Sequence, residues 1–161
     1  MIDKKTNIKK ILIKSINECY CIVLNKNHEQ LDNIAKVLES GVKMIQAEFG
    51  DISAREFIIK ARKIHQLCSI YNALFIVKNR ADIAKILDSD GICLEDNELE
   101  IHQAKEILDC DKFFSRRIQN PQKFDLKELN QIDYIILDKN NLNALNRILG
   151  ASNIKIIIEK R

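Results

Sequence analysis

Short apolar segments alternate with helical patterns along most of the chain, and this alternation limits the folds that the chain can adopt. The segments with strand character are almost wholly apolar, and they are residues 20–24, 42–47, 74–77, 91–94, 112–115, 134–137 and 154–158. Continuous apolar runs are typical of strands that are buried on both faces, as in a parallel sheet covered by helices.

The segments between these strands have helical periodicity. Residues 53–71 carry one apolar stripe and begin with Ser53 and Glu56 at the spacing of a capping box. Gly150 follows the last helical pattern in a position that suits a helix end. The other predicted helices cover residues 28–40, 81–87, 99–108, 123–130 and 142–149.

Strands that alternate with helices predict βαβ units and an α/β fold with a parallel sheet. About seven such units predict a TIM (β/α)8-type barrel that is incomplete by one unit. An open, doubly wound sheet is the alternative, because local pattern does not show whether a sheet closes. The length of 161 residues suits one domain.

We divide the chain into an N-terminal extension, residues 1–17, and a barrel domain, residues 18–161. Ile8, Ile11, Leu12 and Ile16 share one helical face in the extension. The extension is therefore predicted to form a short helix that plugs the bottom of the barrel.

Composition argues against several classes of function. The net charge is only +3, without a clustered basic face, so no nucleic-acid partner is expected. No apolar stretch approaches the length of a membrane span, and lysines interrupt the N-terminal apolar residues, so neither a membrane association nor a secretory signal is expected. The five cysteines lack Cys-x-x-Cys spacing and are interpreted as reduced thiols of a cytoplasmic protein, with Cys19 and Cys21 as core thiols.

One window carries a specific resemblance. It reads Val77-Lys78-Asn79-Arg80-Ala81-Asp82 and continues, after a short spacer, with Asp90-Gly91-Ile92-Cys93-Leu94. Together with residues 39–46 and 133–137, this window resembles the thiamine phosphate synthase/thiazole tautomerase (TenI) family of small (β/α)8 barrels. The resemblance covers roughly residues 18–158.

The resemblance implies a reaction that joins hydroxymethylpyrimidine diphosphate to thiazole phosphate. Such a site needs carboxylates that hold Mg²⁺, and it needs cationic side chains that bind the diphosphate. Carried over by position, Gln46 matches the family's glutamine, while Lys78 and Asn79 stand where the family has Asn-Asp. These three residues are the candidate catalytic set, and Glu98, which aligns with a metal-binding aspartate, is the candidate Mg²⁺ ligand.

Other positions depart from the family pattern. The diphosphate-binding arginine and lysine of the family are replaced by Glu48 and Gly50. A carboxylate facing a diphosphate repels it. The tautomerase branch uses a histidine after the sixth strand, and none of the three histidines of this sequence falls there, so that activity is not supported; they are His28, His65 and His102.

The remaining charged residues near predicted strand ends have two interpretations each. Arg116 and Arg117, with Gln46 and Lys78, are predicted to bind a phosphate ligand, and Lys139 and Lys160 would extend this set into a basic mouth. The alternative is a pair of solvated loop charges.

Glu48, Glu98 and Asp96 either form a rearranged metal site or are solvated carboxylates. Arg80 and Asp82 are expected to form a structural ion pair near a helix N-terminus.

Two functional hypotheses follow, and the sequence does not choose between enzyme and non-enzyme. The first is thiamine phosphate synthesis, with Mg²⁺ as cofactor. The second is a catalytically degenerate homologue that binds a phosphorylated pyrimidine or thiazole, or serves as an accessory subunit. A seven-stranded sheet would have two open edges, so we expect a homo-oligomer or a partner chain that covers the open edge.

Overall fold

In the computed structural model, which describes residues 4–27 and 29–161, the strands form one closed parallel barrel. Each strand pairs with the next, and the last pairs with the first. The predicted seven-stranded α/β barrel is therefore confirmed, and the open, doubly wound sheet is not formed. The strands are β1 Glu18–Leu24, β2 Met44–Phe49, β3 Leu74–Lys78, β4 Gly91–Glu95, β5 Phe113–Arg117, β6 Tyr134–Leu137 and β7 Lys155–Lys160.

The expected open sheet edges were wrong. Glu18, Cys19 and Tyr20 of β1 pair in parallel with residues 158–160 of β7, so seven strands close the sheet without an eighth. The local pattern could not show this pairing, because it joins the two strands that lie farthest apart in the sequence. An open edge therefore gives no reason for a covering partner chain, and the predicted homo-oligomer stays a prediction.

The described residues form six α-helices, which connect or precede the strands. They are α1 Lys4–Ser15, α2 Gln30–Glu39, α3 Ala54–Ile70, α4 Ala81–Leu87, α5 Ile101–Ile107 and α6 Leu142–Leu149. The capping box at the start of α3 is present, since Ser53 Oγ accepts the Glu56 backbone N–H and the Glu56 carboxylate accepts the Ser53 backbone N–H. His28, the first residue of the helix predicted at 28–40, lies outside the described residues. None of the described helices is long and apolar enough to cross a membrane.

The helix predicted over residues 123–130 was wrong. This segment forms two short 3-10 turns, Pro121–Lys123 and Leu126–Asn130. The side chain of Asn120 accepts the backbone N–H that follows it by two residues, and Asp125 does the same at the second turn. Such local hydrogen bonds compete with α-helical ones, so the apolar spacing alone did not produce a helix.

Apolar side chains form two separate clusters. The larger lies between the barrel and its helices, and the smaller fills the lower interior of the barrel. Ile13 and Ile16 of the N-terminal segment are buried in the smaller cluster, so α1 covers this end of the barrel. The predicted contact face was wrong for Ile8 and Ile11, which are 59% and 70% exposed, because the segment packs through Ile13 and Ile16 instead.

Asp90 joins α1 to the barrel. Its side chain is 5% exposed and forms an ion pair with Lys9 of α1. The other carboxylate oxygen accepts the Phe75 backbone N–H at 2.8 Å, at the start of β3. One buried carboxylate therefore holds both the plug helix and a barrel strand.

We expect Asp90→Ala to lower the free energy of unfolding by about 2–3 kcal/mol, because it leaves a buried backbone N–H without an acceptor. Urea denaturation of the two proteins measures this difference. Asp109→Ala is the matched control, because Asp109 belongs to an exposed ion pair with Lys85 and should change stability little. Equal stability of Asp90→Ala and Asp109→Ala would contradict the anchoring role of Asp90.

Candidate functional site

Charged residues occupy the carboxyl-terminal mouth of the barrel, the end at which barrels of this type form their sites. Five strands place a charged residue there: Glu48, Lys78, Glu95, Arg117 and Glu159. Gln46 of β2 and Asp138, which follows β6, contact this group. We call these seven residues the mouth cluster. Its contacts join strands that are not neighbours, such as β5 with β7, so its side chains meet inside the barrel.

Lys78 lies between two carboxylates. Its Nζ is 3.0 Å from Glu48 Oε2 and 2.9 Å from Glu95 Oε1, and its side chain has no exposed surface. Both distances are those of close ion pairs, so the ammonium is held by two carboxylates at once. Burial lowers the pKa of Lys78, but the two glutamates outweigh burial and raise it. Lys78 is therefore a protonated, fully compensated cation.

Arg117 is compensated in the same way. Its Nε donates to Glu159 Oε2 at 2.9 Å and its Nη2 donates to Asp138 Oδ2 at 3.1 Å. The Glu159 side chain is completely buried, and the Arg117 side chain is 9% exposed. Burial lowers the pKa of Arg117, but Glu159 and Asp138 outweigh it, so that the pKa is raised. The guanidinium is bound by the carboxylates of its own chain.

Gln46 is wholly buried below these charges. Its Nε2 donates to Glu159 Oε1 at 3.4 Å, while its Oε1 has no hydrogen-bond partner among the described residues. The neighbouring Cys21 thiol lies 3.6 Å from Glu48, and burial raises its pKa to about 12. That thiol is therefore uncharged at neutral pH and is not an activated nucleophile.

Asn79 adopts a left-handed backbone conformation with φ of +66° at the end of β3. Its side-chain amide donates to Glu95 Oε2 at 3.0 Å and accepts the Glu95 backbone N–H at 3.0 Å. Both polar atoms of the side chain are thus engaged with Glu95. The geometry shows a clamp between β3 and β4 at the rim of the mouth.

The predicted pairing of Arg116 with Arg117 in one anion site was wrong. Both residues lie in β5, where consecutive side chains point to opposite faces of the sheet. Arg116 makes two hydrogen bonds to Glu128, at 2.9 and 2.6 Å, and one to the Glu95 carbonyl outside the barrel.

The predicted basic mouth also lacks its other two lysines. Lys139 is exposed, and Lys160 pairs with Glu18 at 2.6 Å. Only Lys78 and Arg117 of the predicted cations belong to the mouth cluster.

The residues present do not fit a Mg²⁺ site. Glu98 and Asp96 are exposed after β4, and Glu48 is bound to Lys78, so the rearranged metal site is not assembled. Within residues 4–27 and 29–161, no three His, Cys, Asp or Glu side chains group closely enough to hold a metal ion. The amide of Asn79 replaces the carboxylate that the family resemblance implies. The expected structural pair of Arg80 with Asp82 is present, with hydrogen bonds of 2.9 and 2.6 Å.

The mouth cluster has four carboxylates and two cations. Three of its carboxylates are more accessible than its cations: Glu48 is 25%, Glu95 22% and Asp138 54% exposed, while Lys78 is completely buried and Arg117 is 9% exposed. The fourth carboxylate, Glu159, is completely buried. Arg161 lies at the rim, 3.3 Å from Glu48, and partly offsets the excess negative charge. The surface that an incoming molecule meets is therefore predominantly anionic.

Sequence reasoning missed Glu95, Glu159 and Asp138 as members of this site. A signal for the two glutamates existed: each follows a buried, inward residue of its strand by two positions, and side chains two apart share a face. These buried residues are Cys93 and Ile157. No comparable signal exists for Asp138, which lies beyond the end of β6.

Comparison with known proteins places this barrel in a family. A family model described as thiamine monophosphate synthase matches residues 19–139. A thiamine-phosphate synthase of Prochlorococcus marinus is 33% identical over 123 residues, which are 76% of this chain and 35% of that protein. The enzyme of the same name from Campylobacter jejuni is 32% identical over 112 residues, 69% of this chain and 50% of that protein. The chain thus spans about a third to a half of the length of these curated relatives.

A solved structure has a similar fold. A thiamine phosphate pyrophosphorylase from Pyrococcus furiosus superposes with a TM-score of 0.77 at 23% identity, over 92% of this chain and 76% of that one. This likeness concerns the fold alone, whereas the family model covers most of the sequence. The chain belongs to the thiamine monophosphate synthase family.

Proposed function

We propose that this chain is a non-catalytic member of its family, acting in thiamine biosynthesis as a ligand-binding or accessory protein. The observation that supports this proposal is that both buried cations of the mouth cluster are neutralised by carboxylates of the same chain. Transfer of a pyrimidine from its diphosphate requires uncompensated positive charge where the leaving diphosphate forms.

Two further features agree with this proposal. Glu48 stands where the family resemblance implies a diphosphate-binding arginine, and it is partly exposed at the mouth. The described residues also do not assemble a Mg²⁺ site. A diphosphate entering this mouth would meet partly exposed carboxylates, and the two cations of the mouth cluster are already paired with carboxylates.

Thiamine phosphate synthesis itself is the second candidate, since the relatives that share about a third of their residues with this chain carry that name. Under this hypothesis hydroxymethylpyrimidine diphosphate and thiazole phosphate would bind at the mouth, with Gln46 and Lys78 beside them. Mg²⁺ would have to be held by the substrate and water rather than by a carboxylate cluster.

A coupled assay separates the two candidates. The purified chain receives Mg²⁺, hydroxymethylpyrimidine diphosphate and thiazole phosphate, and thiamine phosphate is measured by fluorescence after oxidation. We expect no product above the background without protein, because the cations needed for the diphosphate are already paired.

The Campylobacter jejuni synthase, assayed in parallel, verifies the substrates, and circular dichroism verifies that the chain is folded. Product that depends on the chain and disappears in Lys78→Met would show that the mouth performs the reaction. That result would establish the second candidate instead of the first.

A further inference from the structure

The mouth cluster contains a hydrogen-bond acceptor that no described residue uses. The amide oxygen of Gln46 is buried and has no hydrogen-bond partner in residues 4–27 and 29–161, and an unpaired buried carbonyl is costly in free energy. Gln46 lies on the inward face of β2, two residues before Glu48, and its other amide atom contacts Glu159. An incoming N–H donor would satisfy this oxygen.

The carboxylates around this oxygen have spare capacity. Glu48 contacts Lys78, Arg161 and Cys21 through Oε2, and Asp138 contacts Arg117 through Oδ2. In both residues these contacts involve only one of the two carboxylate oxygens. The second oxygen of Glu48 and that of Asp138 can therefore accept a hydrogen bond from a ligand. A carboxylate accepts hydrogen bonds and attracts positive charge.

The net charge of the mouth cluster favours a ligand of the opposite charge. Four carboxylates and two cations leave a net charge of about −2, and Arg161 at the rim reduces it to about −1. Lys78 and Arg117 are buried, whereas three of the four carboxylates are 22–54% exposed. Arg161 at the rim is 51% exposed and is paired with Glu48. These carboxylates would repel a phosphate, whereas they would attract a ligand with a protonated nitrogen.

From these observations we infer that the mouth cluster binds a small organic cation with several N–H donors, of the amidinium or guanidinium class. Such a group is planar and can donate to two carboxylates at once while one N–H points to the oxygen of Gln46. The chain already holds a guanidinium there, since Arg161 lies 3.3 Å from Glu48 and 3.7 Å from Glu159. This inference rests on the proposed non-catalytic function and names the class of ligand for the same site.

Benzamidinium and benzoate test the inference, because they have nearly the same shape and opposite charge. Thermal unfolding of the full chain is followed at constant ionic strength, since salt screens such contacts. We expect benzamidinium at tenfold its dissociation constant to raise the melting temperature by about 3 °C or more. Benzoate should produce no rise.

Two sets of variants locate the site. In Glu48→Gln/Asp138→Asn, benzamidinium should bind about tenfold more weakly, because two accessible charges are removed without a change of shape. Asp51→Asn is the matched control, since Asp51 is an exposed carboxylate in the loop after β2, outside the mouth cluster. Its affinity should equal that of the unmodified chain.

The outcomes are distinct. Equal effects of benzamidinium and benzoate, or unchanged affinity in the double variant, would overturn the cation site. A rise of melting temperature with pyrophosphate would also overturn the cation site, whereas product in the coupled assay would overturn the proposed function. The two failures are therefore told apart in the same set of measurements.

Discussion

Replacing Lys78 with methionine should lower the free energy of unfolding by about 3 kcal/mol at pH 7, because two largely buried carboxylates lose the ammonium that they share. Lys78 has no exposed side-chain surface, and its ammonium is 3.0 and 2.9 Å from two carboxylates. Methionine has nearly the length and the apolar stem of lysine. The loss of stability therefore measures the removal of the charge rather than a change of side-chain volume. Urea denaturation measures it.

The effect should shrink as the pH falls. Burial opposes ionisation of Glu95, but Lys78, Asn79 and Arg117 outweigh burial and lower its pKa. A carboxyl group with a depressed folded pKa stabilises the protein above its unfolded pKa, and this contribution is lost as the pH falls through the folded pKa. In Lys78→Met that contribution is largely absent already, so the two proteins should converge as the pH falls below about 4.3, the pKa of an unfolded glutamate.

Two further variants distinguish charge from packing. Lys85→Met removes a lysine from an exposed ion pair and should change stability little. Adding Glu48→Gln and Glu95→Gln to Lys78→Met removes the stranded charges, and it should recover part of the lost stability. If the triple variant is no more stable than Lys78→Met, the loss comes from packing, and the electrostatic description of the mouth cluster is wrong.

Most of the fold was predictable because its signals are local. A strand buried on both faces must be apolar throughout, and every predicted strand is present with its ends shifted by at most two residues. The start of α3 was predictable because a capping box has a fixed spacing. Closure by β1 and β7 was not, because the free energy of that pairing depends on two segments at opposite ends of the sequence.

The site was less predictable than the fold. The resemblance drew attention to Gln46 and Lys78, and both lie in the mouth cluster. It could not reveal that Lys78 and Arg117 are neutralised, because their partners come from four different strands or loops. Arg116 was predicted to lie beside Arg117 because the two residues are adjacent in the sequence. Adjacent residues in a strand face opposite sides of the sheet, and Arg116 binds Glu128 instead.

Gly50 leads to the second large effect, because it stands where the family resemblance implies a diphosphate-binding lysine. A Cβ atom at Gly50 would lie 2.4 Å from the backbone oxygen of Leu24 and 3.1 Å from a methyl group of Val23. The carbonyl cannot move aside easily, because Leu24 is held in register with Phe49 between β1 and β2. We expect Gly50→Ala to lower the free energy of unfolding by about 2–3 kcal/mol, as overpacking does.

This crowding bears directly on function. If Gly50→Ala is destabilised, Gly50→Lys is too, and the double change Glu48→Arg/Gly50→Lys cannot simply restore a diphosphate site. Asp51→Ala, at the exposed neighbouring position, is the control and should be close to the unmodified chain in urea denaturation. Full stability of Gly50→Ala would mean that the β1 carbonyl yields, and a lysine could then be accommodated here. A loss of stability in Gly50→Ala would mean that the backbone of β1 leaves no room for a side chain at this position. The backbone, and not only the charge of Glu48, would then exclude the cation that a diphosphate requires.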